Sequence, residues 1–346
     1  MRSRSFRNAT RSGTRNTARS LADWLDDWFE TDLLKALLAG PAVRGAFVGP
    51  RSPGSAFGLL LWECRKGPSV KGGPGALIDA LEAAARSAGA EIRTGEDVTA
   101  IEVSNGRATG VRLAGGERIG ASLIAACNDP KSVFFDLLPE AAFTEKLAHR
   151  IQTLRTNGTT AKVDIAVKRR LQPRGTDDAD IEFFRTGDNL TEIEKAFDAV
   201  KYRLCSDHPV LDVAYPKLGP DDRGHVFSVL VQYAPHNLDG GWDDDRREAL
   251  GARVIETLSE VVPGLVEQVD AVRVLTPADI ETGFGSTGGH LYHGDHTLDQ
   301  IFVRPVPECA GYRTPIRGLV LCGSGSFPGG GITCAPGALA ARAILG

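Results

Sequence analysis

The sequence predicts an α/β fold, in which part of a sheet with a three-stranded β-meander is joined to a mixed α+β region. Three observations lead there. A helix opened by glycines is followed by alternating strands joined across Asn105-Gly106. Further strands and one long amphipathic helix fill the middle of the chain. The end reads as an apolar strand, a glycine-rich loop and a closing helix.

At 346 residues the chain is long enough to bury a sizeable core as two domains or one large one. Hydrophobic residues at 42% and charged residues at 24% are ordinary for a soluble globular protein. A net charge of −4 argues against a nucleic-acid binder, which would carry a basic excess. No apolar run approaches the roughly 20 residues of a membrane helix. Ala56 to Trp62 has the length of a core strand instead.

Residues 1–19 carry six arginines and no acidic residue, so they are expected to be disordered. Their Arg- and Ser-rich, acid-poor character also fits a transit peptide, though the apolar face is almost missing. Order is expected from Ser20. Leu21, Trp24, Leu25, Trp28 and Phe29 share a helical face, with Asp23, Asp26, Asp27 and Glu30 opposite. Gly40-Pro41 should stop the next segment, Leu33 to Leu38. A Gly/Pro/Ser-rich stretch, Gly49 to Gly58, leads into Leu59-Leu60-Leu61-Trp62.

Gly72 to Gly75 opens a helix with apolar positions Leu77, Ile78 and Leu81, ending at Gly89. Ala90 to Arg93 reads as a short strand. Val98 to Val103 and Ala108 to Leu113 alternate around Asn105-Gly106, the strongest short hairpin signal. Gly115-Gly116 turns the chain into Glu117 to Ala126, whose apolar end suits a strand entering a buried sheet. Thr159 to Val167 and His225 to Val231 look like strands, and Asp243 to Val262 like a long helix. Glycines then cluster in Gly283 to Gly294. The six cysteines are scattered without a C-x-x-C pair, so reduced thiols are expected, with Cys127 and Cys322 packing as small hydrophobes.

The closing segment carries the most chemistry. A strand that ends in glycines and feeds a helix aims free N–H groups and a positive helix end at one point. Gly323 and Gly329 to Gly331, lacking side chains, let a flat or anionic ligand approach the backbone. A tight turn used only for packing would look the same. His290, His293 and His296, with Asp295 and Asp299, could ligate a metal. Their flanking glycines favour an irregular loop, so no metal is assigned. No Ser-His-Asp or reactive-cysteine arrangement stands out: Gly323-Ser-Gly-Ser-Phe is not a G-x-S-x-G elbow.

Tyr312 to Leu345, "YRTPIRGLVLCGSGSFPGGGITCAPGALAARAIL", resembles the C-terminal FAD-contacting segment of phytoene desaturase-like flavoproteins. Gly72 to Pro130 is similar to their central motif, and Gly288 to Pro305 and Gly49 to Phe57 also find counterparts. The resemblance covers nearly everything from about residue 20 onward. It implies a partial FAD/NAD(P)-binding, glutathione-reductase-like sheet plus a substrate domain. On this reading residues 20–70 and 139–310 form the substrate domain, and 71–138 and 311–346 the FAD-binding segments.

The implied cofactor is FAD and the implied reaction is hydride removal from a C–H bond of a small molecule. By position, Val98 would meet the adenine end, while Ala126 and Asn128 lie where the returning strand passes the cofactor. Gly323 and Ser324 match the ribityl-pyrophosphate contact, and Gly330, Gly331 and Ile332 the isoalloxazine edge. His290 and His293 would face substrate from a loop over the pocket. The family's small-residue-Asn-Ala-Asp-Pro reads Cys127-Asn128-Asp129-Pro130 here, one residue shorter.

The family's opening strand, G-x-G-x-x-G turn and ribose-binding acid have no counterpart near the start. FAD binding by these residues alone is therefore in question. A partner chain or a homo-oligomer covering the missing half is expected, with no catalytic acid or base to name. The alternative is a non-catalytic interaction protein that keeps the fold without flavin. A cytoplasmic location is expected, with the mitochondrial matrix as the alternative.

Overall fold

The computed structural model describes residues 18–65, 70–176, 181–216 and 225–346. The expectations for the basic tail fall on residues 1–17, outside this range, and on Ala18 and Arg19 within it. Arg19 belongs to the folded part, pairing with Asp27 and donating to the Asp23 carbonyl.

Three helices come first: α1 (Leu21–Asp26), α2 (Asp32–Val43) and α3 (Ala56–Arg65). Ser20 caps α1 by accepting from the Asp23 N–H. Leu21 and Leu25 are buried as the periodicity predicts, but Trp28 lies past the helix end, 60% exposed. Two expectations fail here. Gly40-Pro41 does not stop α2, which continues to Val43 because its last turn is packed: Ala39, Gly40, Ala42 and Val43 are all buried. Leu59 to Trp62 is helical. A short apolar run does not reveal its period, and Gly58 lets α3 seat on α2, where a Cβ would come 1.9 Å from the Ala42 carbonyl oxygen.

Helix α4 (Gly73–Ser87) follows, with no buried residue and with Ile78 and Leu81 exposed. Ala90 to Arg93 forms no strand. The meander is β1 (Val98–Ser104), β2 (Arg107–Leu113) and β3 (Arg118–Gly120), antiparallel in that order. The expected third strand is split, because β4 (Ile124–Ala126) leaves the meander for another sheet.

Helix α5 (Glu145–Gln152) leads into the largest sheet. Its strands are β5 (Thr160–Val167), β6 (Phe183–Arg185), β7 (Val210–Ala214), β8 (His225–Gln232) and β9 (Val269–Leu275), in the order β6-β7-β8-β5-β9, all antiparallel. Val163, Ile165, Phe227 and Val229 point to one face and are sealed by Val254 and Leu258 of α7 (Asp244–Ser259). The period of two sends Lys162, Asp164 and Ser228 to the other face, where Lys162 bonds both partners. α6 (Leu190–Lys201) packs Ile193 and Phe197 against α1 and α2 in a second core.

After α8 (Pro277–Phe284) the chain winds irregularly to β10 (Leu319–Leu321) and α9 (Ala335–Leu345). β10 pairs in parallel with β4, and these two strands form their own sheet. Phe134, Ile151 and Ile316 gather beneath it in a third core with Ile101 of the meander. All six cysteines are free thiols. Cys127 is exposed and Cys322 half-buried, so neither is the packed hydrophobe expected: each stands just past the end of its strand, where the sheet opens. No helix among the described residues is long and apolar enough to cross a membrane.

Candidate functional site

The parallel pair β4–β10 ends in a glycine-lined pocket. Leu321 lies opposite Ala126, and the Cys322 N–H donates to the Ala126 carbonyl at 2.9 Å. One step on, Gly323 crosses Cys127 so closely that a Cβ would sit 2.1 Å from its carbonyl oxygen. The pocket beyond has a volume of about 270 Å³ and is lined by Gly323, Ser324, Gly330, Gly331, Ile332 and Cys334, among others. Five of the eight residues expected at a cofactor therefore line one concavity.

Their backbone is what makes the pocket chemical. Among the described residues, nothing accepts a hydrogen bond from the N–H groups of Gly330, Gly331, Ile332, Thr333 or Cys334. Gly331, Ile332 and Cys334 all have positive φ, so the loop here is an irregular turn and not an extended strand. Next comes the N-terminus of α9, whose N-cap, Cys334, supplies no side-chain bond. Unpaired donors and the positive end of a helix dipole coincide there.

The remaining expected residues are placed differently. Ala126 is buried in β4 and Asn128 is exposed just beyond it; neither lines the pocket. Val98 begins β1, is 39% exposed and does not line the pocket. His290 is fully buried. Its Nε2 lies 2.9 Å from Asp295 Oδ1, and its Nδ1 accepts from the Tyr292 N–H. Both ring nitrogens are thus committed to the loop, and His290 is corrected from a substrate contact to a support. His293 Nδ1 faces Asp129 Oδ2 at 3.6 Å, and burial pulls its pKa down against the opposing pull of Asp129.

A second cavity, of about 510 Å³, opens between α2, α3 and the 292–299 loop. Arg44, Trp62, Arg65, Tyr292 and His296 form its inner wall. His296 stacks on Tyr292 with ring centres 4.4 Å apart, and its Nδ1 lies 3.1 Å from Arg65 Nη1. Because arginine can only donate, Nδ1 accepts and the proton of the neutral ring is on Nε2. That Nε2 is buried without a partner and would be 2.3 Å from a Cβ on Gly329. Burial, then Arg304 and Arg65, push the His296 pKa far below the usual histidine range, so the ring stays neutral. Arg65 also reaches the Pro328 carbonyl and lies 3.2 Å from where a Gly331 Cβ would stand. The Tyr292–His296–Arg65 stack is therefore the partition between the two cavities.

Arg304 locks the partition in place. Its buried guanidinium donates to the carbonyls of Tyr292, Gly294 and Asp295, and its Nε to that of Ser324. One side chain thus fixes the histidine loop to the glycine loop, although burial lowers its pKa to about 10. The sequence reading missed Arg65, Tyr292 and Arg304. Tyr292 and His296 lie within a histidine-rich run that signals something, but isolated arginines such as Arg65 and Arg304 belong to no motif.

The model of the family described as flavin containing amine oxidoreductase matches residues 8–344. The chain belongs to that family. It is 36% identical over 342 residues to pyridine nucleotide-disulfide oxidoreductase domain-containing protein 2 of Rattus norvegicus, across 92% of this chain and 59% of the relative. A lycopene-forming phytoene desaturase of a Paracoccus species is 24% identical, with 85% of this chain and 58% of the relative covered. The chain thus spans less than two thirds of the length of these relatives. Among solved structures, an oxidoreductase from Methanosarcina mazei superposes with a TM-score of 0.56 at 16% identity, over 98% of this chain and 70% of that one. That likeness bears on the fold alone. Membership agrees with the flavoprotein resemblance read from the sequence.

Proposed function

We propose that this chain supplies the ring end of a flavin site and the substrate cavity of a dehydrogenase or oxidase that removes hydride from a C–H bond. The run of unpaired N–H groups from Gly330 to Cys334 at the head of α9 carries this reading. The pocket fits the electron-rich edge of an isoalloxazine, which needs donors and no side chains in its way. When bound, the flavin accepts the hydride; orientation and electrostatics fall to the protein. Arg304 holds the glycine loop, and Tyr292, His296 and Arg65 separate that loop from the large cavity. His296 stays neutral with Nε2 protonated, so it can donate a hydrogen bond but cannot act as a general base there.

Val98, matched to the adenine end of FAD, lies outside this pocket, so the glycine loop itself offers no grip on the adenosine diphosphate. We infer that this grip comes from residues outside the described set or from another chain. A non-catalytic role remains the second reading, favoured by α4, whose apolar Ile78 and Leu81 meet solvent.

The test is Gly331→Val. Its φ of +129° disfavours a β-branched residue, and the side chain would press on Arg65 while covering the exposed amides. Visible flavin absorption after incubation with FAD should be lost while the far-ultraviolet circular dichroism is kept. Unchanged flavin occupancy would refute this pocket.

A further inference from the structure

We propose, resting on the flavin reading above, that the large cavity takes the carboxylate end of an apolar-bodied substrate, with Arg65 as its counter-ion. The argument begins with charge pairing in the cavity wall. Asp299 is held by Arg155 at 2.7 Å. Asp295, only 2% exposed, is held by His290 and lies 3.6 Å from Arg155. Arg44 shares the buried Asp212 with Arg185, two cations on one anion. Arg65 has no carboxylate partner among the described residues; its bonds go to a neutral imidazole and a carbonyl. Every acid in the wall is thus satisfied, and the charge left over is positive.

Arg65 is half-buried and has no anion beside it among the described residues, so an incoming carboxylate would offset part of its desolvation. Arg65 also stands against Gly331, so a group bound to it would lie beside the glycine pocket. Much of the rest of the wall is apolar or aromatic, with Phe47, Leu61, Leu298 and the ring of Trp62, over which Arg44 lies at 4.8 Å, while Ser55, Asn157 and Thr297 are its neutral polar members. About 510 Å³ suits a small molecule with one ring or a short hydrocarbon body. A cationic amine meets the opposite situation, since no carboxylate in the wall is free to receive it.

Calorimetric titration with benzoate, benzamide and benzylamine, which share a ring and differ in charge, tests this on the whole chain with and without FAD. Benzoate should bind at least about tenfold tighter than benzamide, as expected when a hydrogen bond to a charged group is gained. Benzylamine should bind weakest. Arg65→Gln should erase the preference for benzoate, and Arg65→Lys should keep part of it. Equal binding of benzoate and benzamide, no binding of benzoate, tighter binding of benzylamine, or an unchanged preference in Arg65→Gln would each overturn the proposal. Should Arg65→Gln fail to fold, the wild-type ranking decides alone. The benzoate ranking without any flavin absorption would sink the flavin reading and leave the anion site. Flavin absorption without the ranking would do the reverse.

Discussion

His296 is held by three neighbours, each with a distinct effect. Tyr292 fixes its plane, Arg65 fixes its tautomer, and burial beside two guanidiniums keeps it neutral. That neutrality has a consequence for stability. The unfolded chain takes up a proton at His296 as pH falls through the ordinary histidine value, whereas the fold does not. The folded state then binds fewer protons, so stability is full above about pH 6.5 and falls below it. The loss should approach about 1.4 kcal/mol per pH unit from this residue. His293, whose pKa is lowered mainly by burial, adds in the same direction. Urea unfolding midpoints across that range should fall for the wild type and fall less for His296→Gln. An identical pH slope in the variant would show that His296 titrates normally in the fold.

Among elements, the junction of β4 with β10 organises the site. Two three-residue strands pair in parallel, and the chains then cross at Gly323 over Cys127. Gly323→Ala should cost about 1–3 kcal/mol, the usual range for forcing atoms into a packed place, because the obstacle is backbone. Its thermal midpoint should drop with or without flavin, which separates Gly323 from Gly331. A midpoint equal to the wild type would contradict the close crossing. The sequence reading assigned both glycines to the cofactor, since glycine spacing alone does not tell packing from binding. The hairpin at Asn105-Gly106 was legible because a two-residue turn is a local event. Helix α3 was not, because Leu59 to Trp62 has no period of its own and its state is set by Gly58 against Ala42. The Tyr292–His296–Arg65 stack was illegible for the same reason. Arg65 and His296 are 231 positions apart, and only the packing of α3 on the histidine loop brings them together.

For the whole molecule, the glycine pocket and the large cavity stand on either side of the Tyr292–His296–Arg65 partition. The glycine pocket gathers donors for a ring edge, but Val98, matched to the adenine end, lies outside it. Helix α4 has no buried residue, and among the described residues the β4–β10 sheet has two strands. Exposed apolar helix faces and short open sheets are where another element packs. We propose that a nucleotide-gripping segment docks there and completes the site. On this reading these residues bind the ring and not the adenosine. Titration of the chain with riboflavin, FMN and FAD separates the two. The three affinities should lie within about tenfold of one another, and all should be lost in Gly331→Val, because the gain from an adenosine grip would exceed the ~1.4 kcal/mol that tenfold represents. FAD binding far tighter than riboflavin to the isolated chain, or no flavin binding in any form, would contradict it.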